Sequence, residues 1–358
     1  MRAKTFFYAV LPFILMCSCR GPVLVQGNWN DEVYGAICRV LKEGSGGYAV
    51  FDCDNTSIKH DVSICLMLYQ IENLRFADAP AHCFLDGIED VDRPLQHIGG
   101  LTAAQMGLVL RDEYNLLKAS LDAGATLEAL KQEDLYKDYK ARFLAFYDAV
   151  AEEYDYSTFC LWLPALLCGM TQEEARSLGR ESTLDALSRG RVWVEKWISP
   201  DGQFSAVAEK GIVVTREMKD LYSALRRSGI DVYICSASAE WLVEQLACDP
   251  EIGFGLDEDH VYGIRLSSGQ TVQTSYQEGY VQPFMEGKVS CIKSFMAPSH
   301  GGAAPLLVAG DSRGDVNMLT YWDDTKLSLV MDWGRSGKIR ELADRNDGRF
   351  YAQKVFLD

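Results

Sequence analysis

Several signatures of common catalytic and metal sites are missing from this sequence of 358 residues. Its five histidines form no HExxH pair and its 11 cysteines form no CxxC pair, so the usual zinc sites are not indicated. The GxSxG sequence of many serine hydrolases is also absent. No basic block offsets the excess of 51 acidic over 35 basic residues. The formal net charge of −16 therefore excludes nucleic acid as a partner.

The composition is that of a globular protein. Hydrophobic residues make up 48% of the chain and charged residues 24%, and the length allows one large domain or two modest ones. Because the chain is acidic, an anionic small substrate would need a local source of positive charge. A metal ion or a suitably placed lysine can supply it.

The N-terminus predicts export. Arg2 and Lys4 precede an apolar run over 6–16, which is too short to span a bilayer but suits a signal peptide. The following Leu15–Cys19 segment resembles the lipobox of bacterial lipoproteins. That resemblance implies a signal peptide over 1–18, a lipid on Cys19, and a membrane-anchored protein facing the periplasm or the cell exterior. Met16 departs from the pattern, so a soluble secreted form is the alternative. No second apolar run approaches the roughly twenty residues of a spanning helix.

Cysteine usage gives one further expectation. Without Cys17 and Cys19, nine cysteines remain, so at least one thiol stays free even in an oxidising compartment. Cys53 and Cys235 lie in apolar runs and are expected to be buried.

Hydrophobic patterning divides the rest of the chain in two. From about 58 to 200 the pattern is mostly helical, whereas strands alternate with helices after about 205. Helices are predicted over 102–122, 126–154, 171–189 and 216–228, and strands over 48–52, 231–235, 306–309 and 327–331. Thr171 and Glu174 form a capping box at the start of the third helix. The pattern predicts an α/β protein with a parallel sheet and a large helical insertion.

Polar residues follow three of these strands. They are Asp52, Asp54 and Thr56 in AVFDCDNT, Ser236 in VYICSAS, and Asp311 and Asp315 in LLVAGDSRGDVNML; Lys288 lies between the last two segments. Strand ends of a parallel sheet converge on one crevice. Clustered carboxylates there require a cation, and oxygen ligands favour Mg²⁺ over Zn²⁺.

The ordered set DxDxT, Ser, Lys and GDSxxD resembles the motifs of haloacid dehalogenase-type phosphohydrolases. The resemblance implies a Rossmann-like, doubly wound parallel sheet formed by 19–57 and 205–358, with a helical cap over 58–204 inserted after the first strand motif. The segments around 211–221, 236–238 and 287–294 are similar to the phosphoserine phosphatase branch, and within it to phosphorylcholine phosphatases.

The resemblance also implies roles for individual residues. Asp52 is the nucleophile that forms an aspartyl-phosphate, Asp54 is the general acid and base, and Lys288 supplies positive charge. Thr56, Ser236 and Ala237 lie at the phosphoryl group. Mg²⁺ is held by Asp52, the main-chain carbonyl of Asp54, Asp311 and Asp315. The predicted activity is that of a Mg²⁺-dependent phosphomonoesterase acting on a small phosphorylated metabolite.

Two other functions are compatible with these motifs. One is a surface-anchored ligand-binding lipoprotein with the same fold, and the other is a phosphotransferase with an alcohol as acceptor. Gly334–Lys338 does not indicate a P-loop, because the GxxxxGK spacing is missing.

The insertion is rich in aromatic residues, nine of them between Tyr136 and Trp162. The aromatic residues from Tyr136 to Tyr147 recur at helical spacing and are expected in the core of the cap. Tyr154, Tyr156, Phe159 and Trp162 break that period, and we expect them to meet the leaving group. A quaternary ammonium would suit such rings, so phosphorylcholine is the expected substrate. The alternative is that Trp162 packs inside the cap.

The lipidation hypothesis is tested by Cys19→Ala. We expect this variant to leave the membrane fraction or to accumulate as an unprocessed precursor, because the thioether needs the thiol. Cell fractionation with metabolic lipid labelling measures both effects. An unchanged distribution, with no label in the wild type, would show that the lipobox interpretation is wrong.

Overall fold

A parallel sheet of six strands forms the centre of the computed structural model, which describes residues 24–77, 84–345 and 347–356. The signal peptide and Cys19 lie outside these residues. The strands are β1 Tyr48–Phe51, β2 Trp193–Ile198, β3 Ser205–Lys210, β4 Asp231–Ala239, β5 Val261–Ile264, β6 Leu266–Ser268, β7 Val272–Tyr276, β8 Leu307–Gly310, β9 Leu327–Asp332 and β10 Phe350–Lys354. The helices are α1 Asp31–Glu43, α2 Val62–Asn73, α3 Ala103–Asp122, α4 Leu127–Leu130, α5 Asp134–Glu153, α6 Tyr156–Ala165, α7 Gln172–Leu187, α8 Arg216–Arg227, α9 Glu240–Ala247, α10 Glu286–Cys291, α11 Val316–Thr320 and α12 Lys338–Ala343.

The central sheet has the order β10-β9-β8-β1-β4-β5, and every pair in it is parallel. Both faces are buried. Ala49 and Phe51 of β1 pack with α1, α8 and α9, whereas Tyr48 and Val50 pack on the opposite side with α10, α11 and α12. A sheet covered by helices on both faces explains why its strands are continuous hydrophobic runs. The doubly wound α/β fold predicted from the sequence is confirmed.

Most predicted elements form close to their expected positions. Helix α3 matches 102–122, and α7 begins with the predicted capping box of Thr171 and Glu174. The single helix expected over 126–154 is wrong, because α4 and α5 are separated at Glu133, whose backbone is extended (φ −76°, ψ 147°). The burial of Cys53 and Cys235 is confirmed, and the cysteines among the described residues are free thiols. Within the described ranges, no helix is both long and apolar enough to cross a membrane.

The inserted segment has a hydrophobic core of its own. It is built from α3, α5, α6, the β2–β3 hairpin and the second half of α2. The first half of α2, from Val62 to Leu66, packs instead against the sheet cluster, as does α7. The contacts of the cap cluster extend to Ala208 in β3, past the boundary expected at 204.

Trp162 belongs to this cap core, which corrects its expected position beside the substrate. Its side chain is fully buried, its Nε1–H donates to the Phe84 carbonyl at 2.9 Å, and its ring meets Phe146 edge to face. The reason is the periodicity of α6. Tyr156, Phe159 and Leu163 line the cavity, whereas Trp162, about 100° around the helix from Leu163, is turned toward the cap core.

Trp162→Ala is therefore expected to affect stability. Removing a fully buried indole should lower the free energy of unfolding by about 3–5 kcal/mol. Urea denaturation of the purified protein measures this loss. Leu116→Ala is the matched control, because Leu116 lies in the same cap but is 60% exposed, and it should change stability by less than about 0.5 kcal/mol. Equal stability of the two variants would contradict the packing described for Trp162.

Candidate active site

The polar residues that follow β1 and β8 meet those in the last part of β4 at one edge of the sheet, because β4 continues to Ala239, past its predicted end at 235. Strand β1 lies between the other two, and Phe51 is in register with both Ile234 and Ala309. Asp52 comes directly after Phe51, and its N–H donates to the Ala309 carbonyl at 2.9 Å. The sequence motifs after these three strands are therefore neighbours, as predicted.

The segment after Asp52 is a wide turn that buried hydrogen bonds hold in place. Ser57 Oγ donates to the Asp52 carbonyl at 2.5 Å and lies 2.6 Å from the Tyr222 hydroxyl. Asn55 has a left-handed backbone (φ 57°), a conformation that asparagine tolerates better than most residues. The turn directs the Asp52 and Asp54 side chains into the same cavity.

Lys288 is buried between two carboxylates. Its Nζ donates to Asp52 Oδ1 and to Asp315 Oδ1, both at 2.6 Å, and its side chain is 2% exposed. Burial by itself would lower the pKa of Lys288, but Asp315 and Asp52 raise it well above its usual value. The ammonium group is therefore permanently charged at this position.

Asp315 positions the loop after β8. Its Oδ2 accepts from the Asp311 N–H at 3.1 Å, the Ser312 N–H at 3.0 Å and Ser312 Oγ at 3.1 Å. This close approach needs Gly310, since a Cβ there would lie 2.4 Å from the Asp315 Cβ. Both oxygens of Asp315 are thus engaged within the protein.

The Asp311 carboxylate accepts fewer hydrogen bonds than that of Asp315. Its Oδ1 accepts from Thr56 Oγ1 at 3.5 Å, a long contact, and its buried Oδ2 has no hydrogen-bond partner. Burial, followed by Asp315 and Asp52, raises the pKa of Asp311 well above its usual value. Burial and Asp315 likewise raise the pKa of Asp52 to about 7. Carboxylates whose ionisation is opposed by burial and by neighbouring negative charges favour a bound cation.

The carboxylates form a set that fits a hard metal ion. One oxygen each of Asp52, Asp311 and Asp315 lies within 4.8 Å of the others, and all three residues are buried. Oxygen donors of this kind are those that Mg²⁺ prefers. The Asp54 side chain is not part of this set, so only its main-chain carbonyl could contribute.

Asp54 faces the cavity from the other side of the turn. Its Oδ1 accepts from the Val62 N–H at 2.8 Å and its Oδ2 from Ser238 Oγ at 2.6 Å. Burial, and then repulsion from Asp61 and Asp52, raises the pKa of Asp54 well above its usual value. A raised pKa favours the protonated carboxyl group, which is the form that a general acid needs.

Of the residues predicted to bind the phosphoryl group, only some lie at the cavity. Ala237 lines the cavity, and Thr56 contacts Asp311. Ser236 is fully buried, and its Oγ accepts from the Ser238 N–H at 3.1 Å, so it supports the last part of β4. Ser238, two residues further along β4, provides a hydroxyl that lines the cavity and donates to Asp54. The alternation of a strand, in which residues i and i+2 share a face, could have pointed to it.

A cavity of about 560 Å³ joins these groups to the cap. Tyr156 and Phe159, two of the four aromatic residues expected to meet the leaving group, line it on the cap side, whereas Tyr154 and Trp162 do not. Tyr147, expected in the core of the cap, lines it as well. Asp61 and Arg335 line it as well, and the sequence analysis missed both. Asp61 also caps α2, accepting from the Ser63 and Ile64 N–H groups. A capping residue gives no sign in the sequence that it also faces a cavity.

Comparisons with known proteins agree with this geometry. The model of the haloacid dehalogenase-like hydrolase family matches residues 99–320, more than half of the chain. The match begins after Asp52 and Asp54, so the assignment of that first motif depends on the structure and on the sequence pattern.

Individual proteins are also similar. Phosphorylcholine phosphatase of Pseudomonas aeruginosa is 23% identical over 291 residues, which cover 75% of this chain and 68% of that protein. A crystal structure of a functionally unknown protein from Anaerococcus prevotii is 28% identical, with a TM-score of 0.80 and coverage of 91% of this chain and 92% of that one. A protein of unknown function from Bordetella pertussis is 14% identical, with a TM-score of 0.44 and coverage of 86% and 98%.

Proposed function

The chain belongs to the haloacid dehalogenase-like hydrolase family and is a phosphoric monoester hydrolase, and we propose that it acts through an aspartyl-phosphate on Asp52. The observation that carries this proposal is the position of Asp52 at the end of the central strand, bonded to Lys288 and open to the cavity. Lys288 holds one carboxylate oxygen, so the other is presented to phosphorus.

The reaction uses two carboxyl groups in different protonation states. An oxygen of Asp52 attacks phosphorus, the bond to the ester oxygen breaks, and Asp54 gives its proton to the leaving alkoxide. Asp54 then takes a proton from water, which attacks the acyl-phosphate and releases phosphate with Asp52 restored. The bonds from Ser238 and Val62 keep the Asp54 carboxyl in place through both steps.

We assign Mg²⁺ to the carboxylates of Asp52 and Asp311, with the Asp54 main-chain carbonyl as the third protein ligand. Asp311 Oδ2 supports this assignment, because it is buried and accepts no hydrogen bond, although Arg335 Nη2 lies 2.9 Å from it. Asp315 positions the loop and Lys288. When bound, the ion lowers the repulsion between the carboxylate nucleophile and the phosphate dianion. Lys288 and the N–H groups of the loop stabilise the charge that develops on the transferring group.

Phosphorylcholine is the substrate that we propose, since the cavity lining combines a cationic group with aromatic rings. Lys288 lines the cavity, and so do Tyr147 and Phe159, whose ring centroids are 5.9 Å apart. Asp61 is close enough to contribute, after burial, to a raised pKa of Tyr147. A carboxylate beside aromatic rings suits a quaternary ammonium group. The similarity to the Pseudomonas enzyme supports the same substrate.

Export and lipid attachment at Cys19 also remain part of the proposal, on the evidence of the N-terminal sequence alone. They would place the phosphatase on the outer side of a membrane, acting on extracellular or periplasmic phosphomonoesters.

Asp52→Asn tests the nucleophile. We expect the variant to fold normally and to lose turnover by several orders of magnitude, because an amide cannot form the acyl-phosphate. Hydrolysis of p-nitrophenyl phosphate, with Mg²⁺ and with EDTA, gives the measurement. Asp323→Asn, which changes a fully exposed carboxylate, should keep wild-type turnover. Normal turnover of Asp52→Asn would refute the mechanism. A wild type that has no turnover, yet is stabilised by a ligand, would favour the binding lipoprotein.

Asp61→Asn tests the substrate. Asparagine still caps α2, so the change removes the charge and keeps the helix start. We expect KM for phosphorylcholine to rise about tenfold, while KM for p-nitrophenyl phosphate, which has no cation, changes much less. Steady-state kinetics with both substrates and with phosphoserine measures this difference. Equal changes for the two substrates, or no hydrolysis of phosphorylcholine by the wild type, would contradict the proposed substrate.

A further inference from the structure

A short loop between β9 and α12 lies against the active site. Trp333 Nε1–H donates to the Asn55 carbonyl at 2.7 Å, which joins the loop to the turn after Asp52. Arg335 and Ser336 line the cavity. Gly334 and Gly337, on either side, have left-handed backbones (φ 73° and 78°). This is the glycine-containing segment whose spacing does not fit a P-loop.

Arg335 lies at Asp311 Oδ2, a buried oxygen of the site that accepts no hydrogen bond from the residues that the structure describes. Its Nη2 is 2.9 Å from Asp311 Oδ2, an ion-pair distance without hydrogen-bond geometry. The Arg335 side chain is 45% exposed, whereas that of Asp311 is 3% exposed. Burial raises the pKa of both Asp311 and Asp61, and Arg335 is close enough to oppose that rise. The guanidinium is therefore held by charge on its neighbours, and not by a fixed set of hydrogen bonds.

We propose that Arg335 is a phosphate-binding residue that competes with the divalent cation for Asp311. In the absence of the cation, the guanidinium neutralises Asp311. When the cation is bound, the same guanidinium faces the phosphoryl oxygens of the substrate. The inference rests on the proposed function, because it assumes a phosphate in the cavity and a cation at Asp311.

The charges and the geometry support this double role. A guanidinium and a divalent ion repel one another at a shared carboxylate, so the bound ion weakens the pairing of Arg335 with Asp311. A phosphate dianion near Lys288 then offers a better partner, and the planar fork of arginine matches its oxygens. The exposed side chain and the two flanking glycines leave Arg335 free to turn between these partners.

The first experiment measures cation binding without substrate. Electron paramagnetic resonance gives the dissociation constant of Mn²⁺ for wild type and for Arg335→Ala. Removing the competing charge should tighten Mn²⁺ binding by roughly threefold or more. Lys338→Ala is the control, since that ammonium is on the adjacent helix turn and pairs with the exposed Glu341, and its variant should bind Mn²⁺ like wild type. Unchanged or weaker Mn²⁺ binding by Arg335→Ala would overturn the competition.

The second experiment measures phosphate binding at saturating Mg²⁺. Isothermal titration calorimetry with inorganic phosphate should show affinity about tenfold weaker for Arg335→Ala. Arg335→Lys should show a smaller loss of phosphate affinity, because lysine keeps the positive charge but lacks the paired N–H donors of the guanidinium group. Equal affinity of Arg335→Ala and wild type would overturn the phosphate contact. Neither titration depends on turnover, so failure of the proposed phosphatase activity would be seen separately, as an inactive wild type.

Discussion

The buried ammonium group of Lys288 is the interaction on which the active site depends. Asp52, Asp311 and Asp315 could not share so small a volume in the interior without a compensating charge, because burial and mutual repulsion both oppose their ionisation. Lys288 compensates two of them directly, at 2.6 Å each. The third, Asp311, pairs with the more exposed Arg335 at 2.9 Å through an oxygen that accepts no hydrogen bond. The ammonium group that compensates the cluster therefore also orients Asp52, the proposed nucleophile.

The cap and the sheet are connected through α2. This helix begins at Asp61 beside the cavity, packs its first half against the sheet cluster and its second half against the cap cluster. The same helix start donates the Val62 N–H to Asp54. Asp54, the proposed general acid, is therefore held by an element that packs against both hydrophobic cores.

The sequence predicted the sheet and the core of the site because both depend on local patterns. Continuous hydrophobic runs end at Asp52, Ser236 and Asp311, and the parallel order of their strands brings those ends together. The cap-side wall could not be predicted in the same way. Which aromatic rings face the cavity depends on the rotation of α6, and that rotation is set by packing against Phe84 and Phe146. Arg335 was missed because it lies in a loop, where no periodicity relates its position to the site.

The long separation between interacting segments has a consequence for how the protein folds. Asp52 and Lys288 are 236 residues apart in the chain, and strand β1 pairs with strands that are synthesised much later. A growing chain that ends before residue 288 contains the turn after Asp52 and the cap, but not the charge that balances Asp52. The contact between Asp52 and Lys288 can therefore form only after residue 288 has been synthesised, and contacts so distant in sequence are expected to form slowly. Acquisition of activity would accordingly report completion of the sheet.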